Sequence, residues 1–322
     1  MVNQAHLFAK TLDDLLLAVL REIKDHGERV CPTKPPNKEI AGVVLELENP
    51  RARISRTETK GKPFSCLGEL CWYLAKTNRL GFIEYYIPAY KKYADGEVVF
   101  GGYGPRLFNR RGLDQVGRAI DRLKTNPSSR KVVIQLFDAD DLTEEHNDVP
   151  CTCTLQFMVR EEKLHMLVHM RSNDAFIGLP HDIFCFTMLQ EIISRSVSRE
   201  LGAYKHMVGS LHLYDQNIPQ ADEYLEEGFQ SSIPMPAMPI GDPWPSIHLL
   251  LDAESSIRTT GVLDHDILAK VDDYWADLVR LLQIFRCKKL KDRDIDKLMA
   301  LRRSMSSNVY SPFIEKVISD LS

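Results

Sequence analysis

The sequence lacks several things, and each absence narrows what the chain can be. No apolar run approaches the roughly 18 residues that a membrane span needs. No charge of one sign dominates: 41 Lys and Arg stand against 45 Asp and Glu, a net charge of -4. That balance argues against a nucleic-acid polymer as partner. Cysteine is sparse, seven in 322 residues, odd in number and scattered. Neither a disulfide framework nor a zinc site is expected from such a pattern. The one close pair, "CTC" at 151–153, has a single residue between its thiols, unlike common zinc spacings. Reduced thiols in a cytoplasm are the expectation. Repeats, low-complexity segments and an interdomain linker are missing too. The first 23 residues, "MVNQAHLFAKTLDDLLLAVLREI", carry charges throughout and do not read as a secretory leader.

What is present is material for a large core. Hydrophobic residues make up 44% of the chain, enough for a single domain over 1–322. Periodicity predicts a helix over 5–26, a loop over 32–38, a strand over 42–50 and helices over 66–77 and 113–127. The glycine-rich stretch 95–107 reads as irregular. Strands are expected at 131–137, 153–161, 163–172 and 205–214. The middle two form a hairpin across a charged turn. Residues 182–197 are apolar on most faces, as in a central buried helix. A helix-rich region fills 263–321 and extends the same domain. Strands and helices mix without strict alternation, so the expected fold class is α+β.

Several residues can carry chemistry. Cys151 follows a proline at the entrance to a strand, and a cysteine thiolate is a strong nucleophile. Arg130 and Lys131 precede a strand, while Arg171 and Ser172 end one. Guanidinium plus hydroxyl suits a phosphate. His212 and Tyr214 share one face of a strand, where they can hydrogen-bond a sugar. Glu69 lies among apolar residues on a helix and can order water or shuttle protons. Asp182 stands at the mouth of the buried helix, where position alone would let it act as an N-cap.

Six segments in order, "GELCWYL", "YGPRL", "SSRKVVIQLF", "PCTCTLQF", "RSNDAFIGLPHDIF" and "GSLHLY", resemble the motifs of the thymidylate synthase superfamily. The resemblance runs over roughly residues 40–220. It implies that Cys151, five residues before Gln156, attacks C6 of a pyrimidine nucleoside monophosphate. Arg171, Ser172 and Arg130 would hold the 5′-phosphate, with Lys131 and Arg29 assisting. Gln156 would contact the substrate, and His212 and Tyr214 the sugar. Asp174, Tyr90 and Tyr93 would face the folate, Tyr103 would support proton removal at C5, and Glu69 would order water. The implied co-substrate is 5,10-methylenetetrahydrofolate, with no metal. Paired basic residues act across the interface in that family, so a homodimer is implied.

Departures from the family pattern narrow the expectation. Asp182 replaces an Asn that reads uracil. A carboxylate accepts from the 4-amino group of cytosine and, sharing one proton, also satisfies N3. This resembles the cytidylate 5-hydroxymethylase branch, which includes ribo-CMP enzymes of mildiomycin-type nucleoside-antibiotic pathways. Thr152, His181 and Ser210 also replace family residues, and Ser210 with Ala175 leans the sugar toward CMP over dCMP. Competing expectations are a thymidylate synthase acting on dUMP and a non-catalytic nucleotide-binding relative. The helical region after 263 lies outside the resemblance.

Overall fold

A computed structural model of the chain describes residues 6–31 and 35–322. The first elements are β1 (His6–Ala9), α1 (Leu12–His26), β2 (Glu28–Val30) and β3 (Asn37–Leu47). The helix expected over 5–26 is therefore corrected at its start. Thr11 caps α1 by accepting from Asp14 N at 3.1 Å, and the residues before it pair with β3 as a strand. The expected loop 32–38 is shorter: Asn37 and Lys38 belong to β3, and residues 32–34 lie outside the described residues.

Next come α2 (Pro63–Leu74), α3 (Leu80–Tyr86), α4 (Tyr103–Phe108), α5 (Gln115–Thr125) and β4 (Val133–Gln135). The irregular stretch 95–107 thus closes on a short helix. Arg106 fixes that helix through a buried bidentate pair with Asp141, at 2.7 and 2.9 Å, and a bond to the Leu136 carbonyl at 2.8 Å. Two parallel N–H···O bonds hold direction as well as distance.

The hairpin is β5 (Thr152–Arg160) and β6 (Lys163–Asp174), antiparallel with Arg160 opposite Lys163. Glu161 and Glu162 between them have φ of 50° and 59°. This two-residue turn matches the right-handed twist of its strands, though neither residue is the glycine that such angles favour. α6 (Gly178–Ser196) and β7 (Glu200–Tyr214) follow. Among the described residues one seven-stranded sheet forms, in the order β1-β3-β7-β6-β5-β4 with β2 on β3. β6 and β7 run parallel, and β3 and β7 antiparallel. Helices and mixed sheet together make the α+β fold that the sequence predicts.

α6 lies against β6 and β7, and its apolar faces fill the core, with Ile183, Cys185, Met188, Ile192 and Ile193 fully buried. One charged pair is sealed in beside it. Arg53 and Glu191 are both buried and ion-paired, and Glu191 Oε1 accepts from Met238 N at 3.0 Å. The chain ends with α7 (Ile218–Glu226), α8 (Trp244–Thr259), α9 (His265–Lys270), α10 (Asp273–Leu290), α11 (Ile295–Ser304) and α12 (Ser311–Leu321). α10 packs on α2 and α8, and Phe285 stacks on Tyr86 with ring centroids 5.1 Å apart. The C-terminal helices thus brace α2, which carries Glu69.

Candidate active site

Strand pairing assembles the site. Arg171 N donates to the Cys151 carbonyl at 2.8 Å, so the end of β6 lies beside the start of β5. The parallel β6–β7 register sets Asp174 opposite His212. Three strand ends thus meet at one end of the sheet. α2, α4, the first turns of α6 and the short segment Pro88–Tyr93 wall off a cavity of about 270 Å³ there.

Eleven expected site residues line this cavity: Cys151, Glu69, Tyr103, Asp182, Arg171, Ser172, His212, Tyr214, Asp174, Tyr90 and Tyr93. Glu69 accepts from two phenols, Tyr73 at 2.9 Å and Tyr90 at 2.5 Å. Tyr90 is therefore tied to that carboxylate as well as facing the cavity. Tyr103 Oη accepts from both Thr152 N (3.2 Å) and Thr152 Oγ1 (2.9 Å), which leaves its own proton for another acceptor. Burial first, then the charges of Asp182 and Cys151, push the Tyr103 phenol well above its usual range. His212 and Tyr214 meet edge to face, 4.8 Å between centroids.

Arg171 does two things at once. Its Nε donates to the Pro150 carbonyl at 3.0 Å and its Nη2 to the Val149 carbonyl at 3.1 Å. It clamps the segment leading into Cys151, and a guanidinium has further N–H groups to turn toward an anion.

Four expected residues are absent from the cavity, and each has a physical reason. Gln156 lies between Leu155 and Phe157, which are fully buried, so strand alternation sends it to the other face. There it donates to the Arg130 carbonyl at 3.2 Å. Arg130 and Lys131 are exposed just before β4, away from their own chain's cavity. Arg29 is exposed and ion-paired with Asp215 at 2.5 Å.

Asp182 is not an N-cap. The helix begins at Gly178, and the turn before it is closed by Asp174, whose Oδ1 accepts from Phe176 N at 2.8 Å and Ile177 N at 3.0 Å. Asp182 lies one turn inside the helix and looks into the cavity. Part of its surface faces that space. Desolvation, with the charge of Glu69 adding to it, holds its carboxyl well above the usual carboxylate range. Asn173 Nδ2 donates to Asp182 Oδ2 at 2.6 Å and opposes the shift only in part. Asp174 is raised as well, since burial outweighs its two backbone bonds.

Sequence reasoning missed Asn173 and Asp148, which also line the cavity. Asn173 is buried inside the signature segment, and its Oδ1 has no hydrogen-bond partner. Its place between Ser172 and Asp174 was the available signal. Ser210 and Ala175 are not cavity residues: the Ser210 hydroxyl donates to Glu39 and Ala175 is fully buried. Among the described residues no group of three or more His, Cys, Asp or Glu could hold a metal ion.

The family profile described as thymidylate synthase matches residues 10–250. The chain belongs to the thymidylate synthase family. The match extends past the segments expected from the motifs at both ends and stops short of α9 to α12. Family relatives differ in what they are named for. A deoxyuridylate hydroxymethyltransferase of Bacillus phage SP01 is 31% identical over 218 residues, 62% of this chain and 55% of the relative. The chain thus spans about half the length of that relative. A thymidylate synthase of Francisella philomiragia subsp. philomiragia is 27% identical over 226 residues, 65% of this chain and 82% of the relative. The solved thermostable thymidylate synthase A from Bacillus subtilis superposes with a TM-score of 0.58 at 24% identity. It covers 69% of this chain and 86% of its own, a likeness of fold.

Proposed function

We propose that the chain transfers a one-carbon unit to C5 of a pyrimidine nucleoside monophosphate, with hydroxymethylation of cytidylate as the reaction. The observation that carries the base preference is Asp182 in the cavity wall, its carboxyl raised by burial well above the usual carboxylate range. A neutral carboxyl can donate to cytosine N3 while accepting from the 4-amino group. It can also donate to uracil O4 while accepting from N3–H, so hydrogen-bond matching alone does not choose. Charge does. Glu69, Asp174 and Asp148 line the same cavity, and such surroundings favour a base that can take up positive charge. Cytosine N3 can share or accept the Asp182 proton, which makes a charge-assisted pair roughly twice as strong as a neutral one. Uracil has no comparably basic site.

The geometry supports the following steps. Cys151 adds through Sγ to C6, and Asp182 stabilises the charge that develops across C4 and N3. Tyr103 and the Glu69 cluster assist loss of the C5 proton. Arg171 and Ser172 face the phosphate, and His212 with Tyr214 the sugar, where ribose is our expectation over deoxyribose. The cavity suits a flat folate: Trp72, Ile87, Tyr90, Tyr93 and Ile177 supply an apolar and aromatic wall. 5,10-Methylenetetrahydrofolate would supply the one-carbon unit there, with Asp174, Tyr90 and Tyr93 facing it. The name of the phage relative supports a hydroxymethyl rather than a methyl product. It also supports a second reading, with deoxyuridylate as the substrate.

We further propose a homodimer joined through the open face of the sheet. Phe8, Val133 and Met207 are exposed at 56%, 48% and 40%, and Arg130 and Lys131 turn away from their own cavity. In a dimer those two cations would reach the neighbour's phosphate. A side-by-side assay with CMP, dCMP and dUMP, product mass being read, tests the whole proposal. Hydroxymethyl-CMP is the expected main product. Fastest turnover of dUMP would overturn the base assignment, and a Cys151→Ala variant that kept activity would overturn the mechanism.

A further inference from the structure

His181 lines the cavity and has no part in the steps above. Its ring is half-buried in the first turn of α6 and is held at both nitrogens. Nδ1 lies 3.3 Å from the Ile177 carbonyl, and Nε2 lies 3.0 Å from Ser65 Oγ in the first turn of α2. A carbonyl can only accept, so the first contact puts a proton on Nδ1. The neutral ring then has its lone pair on Nε2, where the Ser65 hydroxyl donates. That hydroxyl has a second acceptor, the Lys62 carbonyl at 3.3 Å. When it turns to Lys62, Nε2 can accept from a water. Once protonated, Nε2 can donate to Ser65 Oγ. The ring is therefore hydrogen-bonded with or without the extra proton, and the contact between α2 and α6 survives the change.

Burial pushes the ring below its usual 6.5, with Lys62 and Lys60 adding to the effect, while the charge of Glu69 and the bond to Ile177 oppose it. A ring that titrates below 6.5 is mostly neutral at pH 7 and can act as a base there. Glu69 stands one turn beyond Ser65 on α2, and Asp182 follows His181 on α6; both line the same cavity. We infer that His181 takes the proton of the water that adds to the one-carbon unit on C5. The inference rests on the proposed hydroxymethyl transfer, because a methyl product needs no such water.

The step balances without an oxidant or reductant. Once the C5 proton and the folate have left, C5 carries an exocyclic methylene and C6 the Cys151 sulfur. The water oxygen bonds to the methylene carbon as its proton passes to His181 Nε2. The displaced electron pair moves through C5 toward C4, then returns to form the C5–C6 double bond and expel Sγ from C6. The departing thiolate and the new imidazolium carry opposite charges, so the net charge is unchanged.

The test is a single turnover of the full chain with methylenetetrahydrofolate and the C5-tritiated nucleotide that it converts fastest. Tritium release and product formation are followed separately. His181→Gln can still bond to Ser65 but cannot take up a proton, and His181→Phe keeps a ring without either property. In both, tritium release should stay within about twofold, and hydroxymethyl product should form about a hundredfold more slowly. Added imidazole should restore part of product formation to His181→Ala, which a merely structural role would not allow. Wild-type product formation should hold down to pH 6.5 and fall below it, as His181 takes up its proton before the water arrives. Both ring-replacing variants should lack that fall. Equal slowing of both steps, or of neither, would overturn the inference. If the wild type gave a methylated product, the hydroxymethyl reading would fall and this inference with it. A hydroxymethyl product from the wild type with an unimpaired Gln variant would sink the inference alone.

Discussion

Burial and the charge of Glu69 raise the Asp182 carboxyl well above its ordinary range, and that has consequences for both specificity and stability. An Asn at 182 offers an amide that fits either base by flipping, but it cannot hand a proton to cytosine N3. Asp182→Asn should lower kcat/KM for cytidylate about tenfold or more and leave uridylate little changed, read by competing the two substrates. The stability effect has a definite sign. The folded carboxyl titrates above its unfolded value near 3.8. Between those two values the folded chain binds a proton that the unfolded chain has lost, so this group's contribution falls as pH rises. The thermal midpoint of Asp182→Asn should therefore exceed that of the wild type at neutral pH, and the gain should vanish below about pH 3.8. At this scale the motifs made most of the site legible, because strand ends and a helix start are where a chain can aim side chains into one space. Gln156 lies off its own chain's cavity because the buried Leu155 and Phe157 on either side turn it to the other face. Asp148 carried no motif, and its place in the cavity follows from the hold of Asp95 on His146 and Asn147, the hold of Arg171 on Val149 and Pro150, and the room left by Gly101.

Elements were legible where one periodicity dominated. α2, α5, β5 and β6 fall close to their expected bounds. The start of α1 did not, because charges and apolar residues before Thr11 continue a helical pattern while the backbone pairs with β3. The hairpin turn of β5 and β6 offers a direct test. Left-handed angles at a non-glycine residue cost roughly 1–2 kcal/mol each. Replacing Glu161 and Glu162 by Asn and Gly should stabilise the chain by about 1 kcal/mol, seen as a raised urea midpoint at unchanged slope. The sealed pair behind α6 predicts the reverse. Arg53→Met leaves Glu191 charged and buried, which should cost about 3–5 kcal/mol. Adding Glu191→Leu should restore much of that loss, since the buried charge is then gone.

For the whole molecule, the α+β class was readable from the mixture of elements, whereas the packing of residues past 263 was not. Nothing in the periodicity of α10 says that Phe285 will stack on Tyr86 or that this helix will brace α2. The cations before β4 have the widest consequence. Arg130 and Lys131 turn outward while Cys151 turns inward, so in the proposed homodimer one polypeptide would not own a complete site. Damage to the two parts should then be separable. A Cys151→Ala chain and an Arg130→Ala chain, each nearly inactive, should help one another after being unfolded and refolded together. With random pairing in equal amounts, half of the dimers hold one chain of each kind, and in each of these one site of the two is intact. About a quarter of the wild-type activity should return. The same mixture kept folded, with no exchange of chains, should stay silent.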